Sequence, residues 1–333
     1  MQRIGNLFQK LIDYDNLLIA FRKAKKGTKT IEAIKFEFNL ENELLSLKEE
    51  LITEKYTPKK YRYFMLKGLK EREISIASFR DRVVHHSLVN ILEPIFEKVF
   101  IYDSYANRKN KGLLKAIKKV QSSIKTNTEY FLKCDIKKFF DNINYLILEN
   151  LVQRKIKDKR LLNLISVIIR NDIDKNKGLP IGNLTSQFFA NVYLNNFDHF
   201  LKENLKIKKY IRYMDDFIII DESLENIKNI KFEIEKYLEK NLKLTLKKEA
   251  TYINKVDNGI SFCGVRIYKN LIRIKRESLN LSYQKLKIKV KEYRNKKISE
   301  EELYKTLNSI FSYWRKYSTK ELRKKIIENL KIV

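Results

Sequence analysis

Three aspartates carry the chemistry open to this sequence. Asp215 and Asp216 stand side by side in Tyr213-Met214-Asp215-Asp216, between Lys209-Tyr210-Ile211-Arg212 and Phe217-Ile218-Ile219-Ile220. These flanks are aromatic and β-branched, so they read as two strands with the Asp pair at or near the turn. Adjacent carboxylates between apolar strands repel each other and call for a compensating cation. Mg²⁺ suits the place, because it takes hard oxygen ligands, one or two of them protein carboxylates, with substrate phosphates completing its shell. An Asp-Asp pair alone is most often a solvated acidic turn. A second stretch changes that reading. Phe131-Leu132-Lys133-Cys134 leads into Asp135 and on through Ile136-Lys137-Lys138-Phe139-Phe140-Asp141, which sets Asp135 at the end of a buried strand. Carboxylates converging from separate strands are what two-metal phosphoryl transfer requires, one ion activating a hydroxyl and the other holding a triphosphate. The interval from residue 135 to residue 215 has room for a helical crossover between neighbouring strands.

The composition agrees with a phosphate-rich partner. Lys and Arg total 70 against 41 Asp and Glu, a net charge of +29 spread along 333 residues. Such an excess points to a polyanion, and the length allows a sizeable core with two or three subdomains. A membrane surface is the competing partner, but no apolar run approaches the ~20 residues of a spanning helix. The N-terminal residues lack a signal-peptide core, so the chain reads as cytoplasmic. Cys134 and Cys263 are far apart and imply neither a zinc site nor a disulfide framework.

The elements that must position the aspartates follow from apolar spacing. Residues 1–57 are helical in pattern, with Leu7, Ile12, Leu17, Phe21, Leu44, Leu47 and Leu51 recurring, a break at Gly27 and an end at Pro58. Tyr61 to Ile76 reads as a β-ribbon around Gly68, with Lys70 and Arg72 on one face. A helix over Arg80 to Glu97 follows. Its adjacent His85 and His86 share no helix face and read as structural. Arg80, Arg82 and Arg108 either touch template or nucleotide or pair with Glu93 or Glu97. Tyr145 to Arg170 is helical. Gly178-Leu179-Pro180-Ile181-Gly182-Asn183-Leu184-Thr185-Ser186-Gln187 then opens another helix, and its glycines let the backbone approach a nucleotide closely. From Arg276 onward the chain is helical and Lys-rich, a surface suited to duplex phosphates.

Asp135-Ile136-Lys137-Lys138-Phe139-Phe140 followed by Tyr213-Met214-Asp215-Asp216 resembles motifs A and C of reverse transcriptases. Most bacterial members carry Gln-Gly-x-x-x-Ser-Pro between them. Ile181-Gly182-Asn183-Leu184-Thr185-Ser186-Gln187, followed by Phe188-Phe189-Ala190-Asn191-Val192-Tyr193, instead resembles reverse transcriptases of diversity-generating retroelements. Arg80-Asp81-Arg82-Val83-Val84-His85-His86, Asp103-Ser104-Tyr105-Ala106-Asn107-Arg108 and Phe197-Asp198-His199 are similar to that family too, so the resemblance covers almost the whole chain. It implies an α/β (α+β) right-hand polymerase fold. Residues 1–57 form a helical N-terminal extension, 58–127 the fingers with the start of the palm, 128–260 the palm with its motif B segment at 171–200, and 261–333 the primer grip and helical thumb.

The resemblance also implies RNA-directed DNA synthesis. Asp135, Asp215 and Asp216 are then catalytic and hold two Mg²⁺ ions, for which Mn²⁺ can substitute, with the Ile136 carbonyl as an added ligand. Lys70, Arg72, Phe140, Ile181, Gly182 and Gln187 contact the dNTP, Arg72 over its triphosphate and Phe140 against a ribose 2′-hydroxyl. Phe262-Cys263-Gly264 is the primer grip, with Cys263 a small hydrophobe. Ala250 stands where relatives often place a pyrophosphate-protonating Lys, so Lys247 or Lys248 would substitute. Implied partners are a template RNA, primer or cDNA, dNTPs and a small basic oligomeric accessory variability protein, in a bacterial, archaeal or phage setting.

Ile181 stands where faithful relatives place Gln. An apolar side chain cannot hydrogen-bond the nascent pair, and each ~1.4 kcal/mol of lost discrimination is tenfold in error. The expectation is an error-prone polymerase, with errors in the family falling mainly at template adenines. One rival is another bacterial reverse transcriptase, of group II intron, retron or phage-defence type. The Gln187 form of motif B argues against it, as does a chain ending at Val333 with no room for RNase H, endonuclease or maturase domains. The other is a non-catalytic RNA-binding scaffold, which the intact aspartates oppose.

Overall fold

Strict alternation along Phe131–Asp135 and Asp216–Ile220 puts successive side chains on opposite faces of a sheet. The computed structural model, which describes residues 3–66, 71–125, 128–171 and 176–330, shows where each face goes. Strands β3 (Tyr130–Asp135), β4 (Lys209–Tyr213), β5 (Asp216–Asp221) and β6 (Tyr252–Lys255) form an antiparallel sheet in the order β4-β5-β3-β6. Leu132, Cys134, Tyr210, Phe217 and Ile219 enter one core. Phe131, Ile211, Ile218 and Ile220 enter a second core on the opposite face. Asp135 follows Phe131 and Lys133 in alternation, so it emerges on the second face.

The first core is closed by helices. They are α1 (Leu7–Leu11), α2 (Tyr14–Lys25), α3 (Ile31–Phe38), α4 (Leu40–Ile52), α5 (Phe79–Glu97), α8 (Tyr145–Gln153), α9 (Lys159–Ile169), α10 (Leu184–His199) and α11 (Leu224–Tyr237). The short α7 (Phe139–Asn142) follows the first aspartate. The N-terminal helices belong to this core. Phe21 and Phe36 stack, Phe79 meets both edge-to-face with all ring centroids within 6.0 Å, and Asn16 Nδ2 donates to Ser87 Oγ at 2.9 Å. The ribbon β1 (Arg62–Leu66) and β2 (Arg72–Ile76) stands apart as its own antiparallel pair. The second core takes α6 (Leu113–Ser123), the three-stranded sheet β7 (Ile260–Phe262), β8 (Val265–Ile267) and β9 (Ile272–Ile274), and the helices α12 (Arg276–Arg294), α13 (Glu300–Trp314) and α14 (Lys320–Leu330). Among the described residues no helix is long and apolar enough to cross a membrane.

The structure refines the sequence reading at two places and agrees with it at a third. The helix expected over 145–170 is two, because Ile156 leaves the helix to bridge Ile4 and Asp158 caps α9 by accepting from Leu161 N–H at 3.3 Å. The arginines left open between nucleic acid and an internal glutamate are turned inward, Arg108 onto Glu97 as one reading had it, Arg80 and Arg82 onto other partners. Arg108 Nε donates to both Glu97 oxygens at 3.0 Å, Arg82 donates to the Ala24 carbonyl at 2.9 Å and the Thr28 hydroxyl at 3.2 Å, and Arg80 pairs with Glu50. Glu93 takes Lys109 instead, at 2.8 Å. His85 and His86 behave as structural residues: burial, helped by neighbouring positive charge, lowers them to about 3 and about 4.

One buried ion pair ties the two halves of the first core. Asp198 of α10 and Arg212 of β4 have fully buried side chains. Arg212 Nε and Nη2 donate to the two carboxylate oxygens at 2.7 and 2.5 Å, and the Tyr210 hydroxyl donates to the same carboxylate at 2.7 Å. Nη1 donates to Asn191 Oδ1 at 3.1 Å and to the Met214 carbonyl at 3.0 Å. Removing one partner strands the other charge in the interior. Asp198→Ala is therefore expected to cost about 3–5 kcal/mol, read as a lowered urea midpoint, while Asp198→Leu with Arg212→Met recovers most of that loss.

Candidate active site

The β4-β5 register ends with Tyr213 opposite Asp216, which leaves Met214 and Asp215 as a two-residue hairpin turn. Such turns need positive φ, normally supplied by Gly or Asn. Met214 adopts φ 59° with a side chain that resists it. Arg212 holds the Met214 carbonyl from below, so the strain is fixed in place rather than relieved. The result presents Asp215 at the tip while Asp216 is already in the sheet.

Asp216 lies directly opposite Asp135 in the β3-β5 register. The chain leaves β3 without losing its bonds. Asp135 C=O accepts from Lys247 N–H at 2.8 Å and Thr245 C=O accepts from Lys137 N–H at 2.9 Å, around a bridge between Ile136 and Leu246. In that pattern the N–H and C=O of Ile136 point away from Leu246. The N–H donates to the Asp215 carbonyl at 3.3 Å. Three acidic residues and the Ile136 backbone thus meet at one end of the sheet.

Their electrostatics are those of a site short of positive charge. Burial raises Asp215, Asp135 raises it further, and its own backbone N–H, Arg72 and Lys133 oppose. Burial pushes Asp216 up to about 6 even though Lys133 pulls it down. Lys133 Nζ sits 2.7 Å from Asp216 Oδ1. Burial works against the Lys133 charge, but Asp216, with Asp135 behind it, outweighs that and holds the ammonium above its ordinary range. Among the described residues no three His, Cys, Asp or Glu side chains are gathered closely enough to hold a metal ion. The donor chemistry still fits Mg²⁺, because crowded, half-desolvated carboxylates are the deficit a hard divalent cation relieves.

The other expected site residues arrive by backbone bonds. Ser75 N–H of β2 donates to Ile181 C=O at 2.8 Å. Gly182, at φ 116°, has no room for a side chain: a Cβ would lie 2.8 Å from Ile74 Cγ2 and 2.9 Å from Ser75 O. Leu179 N–H donates to Phe140 C=O at 2.9 Å, and Gly178 N–H to Ile143 C=O at 2.9 Å. Ribbon, glycine loop and α7 are therefore stitched together. Arg72 is exposed on β2 and close enough to lower Asp215, whereas Lys70 lies outside the described residues. Phe140 is half-buried against Phe139, ring centroids 5.5 Å apart. Gln187 faces a cavity of about 40 Å³ shared with Glu93, Glu97, Arg108 and Asn191, on the α5 side of α10.

Phe262, Cys263 and Gly264 form the β7-β8 hairpin. Phe262 is fully buried, and Cys263 and Gly264 turn the chain at φ 49° and 82°. Burial pushes the Cys263 thiol up, and both Asp216 and Asp215 add to it, so this turn lies against the acidic end of the sheet. Lys247 is half-buried and contributes its backbone to Asp135, while Lys248 is exposed and opens a short turn ending at Ala250. The sequence reading passed over Lys133, although its place two residues before Asp135 on one strand face announced it. It also passed over Asn183, buried at the N-cap of α10 with its Nδ2 unpartnered.

The reverse transcriptase (RNA-dependent DNA polymerase) family matches residues 58–267. Protein YkfC of Escherichia coli K12 is 27% identical, over 74% of this chain and 77% of its own. The group II intron-encoded protein LtrA of Lactococcus lactis subsp. cremoris is 25% identical, over 74% of this chain and 54% of its own, so the chain spans about half of that relative. A telomerase structure from Candida albicans with a fragment of telomeric RNA overlaps 74% of this chain and 54% of its own, at a TM-score of 0.48 and 12% identity. The family match runs from the β1-β2 ribbon through both acidic strands to β8, taking in most of the sequence, and the chain belongs to the reverse transcriptase family.

Proposed function

We propose that this reverse transcriptase copies a retroelement template RNA into error-rich cDNA, as an RNA-directed DNA polymerase of the diversity-generating class. The observation that carries the reading is Ile181. Its carbonyl is pinned to β2 by Ser75, with Gly182 lodged against Ile74, so an apolar residue is fixed beside the α7 loop that carries Phe140. Nothing at that side chain can hydrogen-bond a base or sugar, and discrimination against a misaligned pair falls accordingly.

In this reading Asp135, Asp215 and Asp216, with the Ile136 carbonyl, hold two Mg²⁺ or Mn²⁺ ions. Bound there, the ions neutralise triphosphate charge and acidify the primer 3′-hydroxyl. The chain's own residues do the positioning. Arg72 reaches the triphosphate with a planar fork suited to phosphate oxygens. Phe140 crowds the ribose 2′ position, Gly182 lets backbone approach the nucleotide, and Gln187 completes the dNTP contacts. Phe262, Cys263 and Gly264 support the primer terminus. Lys247 or Lys248 supplies the pyrophosphate proton. Fingers, palm and thumb follow the boundaries at residues 58, 128 and 261. The Lys-rich α12–α14 face tracks duplex phosphates, and an oligomeric accessory protein joins through the bound RNA.

A second reading has a specific observation behind it: the similarity to the group II intron-encoded protein LtrA favours a group II intron-type enzyme. Primer extension on an RNA template with Mg²⁺ and dNTPs, followed by sequencing, separates the two. Substitutions concentrated at template adenines are expected, and accurate cDNA would move the protein to the group II type. Asp215→Asn is expected to lose roughly a thousandfold in rate, since several kcal/mol of charge stabilisation go with it.

Two further substitutions probe the pocket. Ile181→Gln is expected to lower the error frequency about tenfold, and an unchanged spectrum would remove Ile181 from the explanation. Phe140→Ala is expected to raise ribonucleotide use relative to deoxyribonucleotide use about tenfold or more, measured as the ratio of kcat/KM values.

A further inference from the structure

Lys133 is the feature of this site that polymerase chemistry does not by itself require. It lies inside β3, where the ladder neighbours are Ile218 on one side and Tyr252 on the other. Its ammonium reaches diagonally to Asp216 at 2.7 Å, and the two side chains are 10% and 22% exposed. Two other carboxylates, Asp135 and Asp215, act on the same pair of residues. An ammonium is a compact point charge with three donors. Seated on Oδ1, it occupies a lone-pair direction that Mg²⁺ needs for its short, octahedral contacts.

A buried pair is rarely worth more than apolar residues of the same shape, so stability gives little reason for one here. Its consequence is electrostatic. Lys133 cancels one of three negative charges at the end of the sheet and holds one oxygen of the Asp216 carboxylate. We propose that Lys133 is a positioning residue that withholds Asp216 from the ion site of the free protein, so that tight divalent binding waits for the nucleotide. The triphosphate brings the oxygens and negative charge that Lys133 has removed, and Asp216 joins the ions only then. This inference rests on the ion-dependent polymerase reading above.

The test uses the full-length protein in mildly alkaline buffer without nucleic acid, with Mn²⁺ as the probe and unbound Mn²⁺ read by electron paramagnetic resonance. Lys133→Met removes the charge and frees Asp216, and Mn²⁺ is expected to bind about tenfold tighter or more. Lys133→Gln keeps a hydrogen-bond donor to Asp216 and gives the same direction, so the test survives a Met variant that does not fold. Lys133→Arg keeps the charge and is expected to bind as the parent does. In an Asp216→Asn background the gain from Lys133→Gln is expected to vanish, because it acts through that carboxylate. Adding a non-hydrolysable dNTP is expected to close most of the gap between parent and variants. Variants of unchanged circular dichroism that bind Mn²⁺ no tighter than the parent overturn the inference alone. A parent that binds no Mn²⁺ even with primer–template and dNTP overturns the ion-site reading itself.

Discussion

The Tyr213–Asp216 hairpin depends on a charge that never sees solvent. Arg212 is spent entirely on internal partners: Asp198 and Asn191 of α10 on one side, and the Met214 carbonyl on the other. Its own backbone is held as well, since Arg212 N–H donates to Asp103 C=O at 3.0 Å and Tyr105 N–H donates to Arg212 C=O at 2.9 Å. A residue with β-strand geometry, pinned by three segments, is a rigid base for a strained turn. Without it, Met214 could relax to negative φ, and Asp215 would swing off the line toward Asp135. The pair is thus less a source of stability than a device for specifying one backbone conformation, the use for which buried ionic groups are best attested.

The sheet distributes this constraint. Its helix-backed face is anchored through Leu132, Cys134, Phe217 and Ile219, and its opposite face through Phe131, Ile218 and Ile220. A slip of one residue between β3 and β5 would exchange those sets and send Asp135 into the helical core, so the register is strongly fixed. The two faces also divide the labour. The helical core takes the backbone of the turn and the Met214 side chain, while on the β7–β9 side Cys263 lies within electrostatic reach of both Asp215 and Asp216.

What the sequence revealed, and what it hid, follows from the range of the interactions. Strands around Asp135 and Asp215 were legible because aromatic and β-branched runs ending in carboxylates are local signals. The glycine loop was legible as a close approach, and Gly182 proves to have no room for a Cβ. Arg80, Arg82 and Arg108 stayed open in the sequence because a basic residue looks the same whether its partner is a phosphate or a group on another helix. Glu97 was among the partners weighed and takes Arg108, whereas Glu50 and Ala24, which take Arg80 and Arg82, lie on α4 and α2, and no local spacing joins those helices to α5. Arg212 and Asp198 were invisible for the same reason. Lys133 was written into the strand pattern as filler, yet it is the residue that redirects Asp216.

These observations place two buried cations, on opposite faces of the sheet, under one short hairpin. Arg212 works through the backbone and fixes where the carboxylates can be, while Lys133 works through a side chain and fixes which of them is available. Both are inside the protein, where attraction is strong and rearrangement is slow to repay its desolvation cost. The arrangement is asymmetric in a telling way. Arg212 is enclosed on every side and has nowhere else to donate, so its contacts persist through any cycle of binding. Lys133 and Asp216 keep partial exposure on the face where a nucleotide would arrive, so their contact is the one that a new charge can reach. A polymerase site needs a permanent scaffold and an exchangeable ligand shell, and the burial of these two cations separates the one from the other.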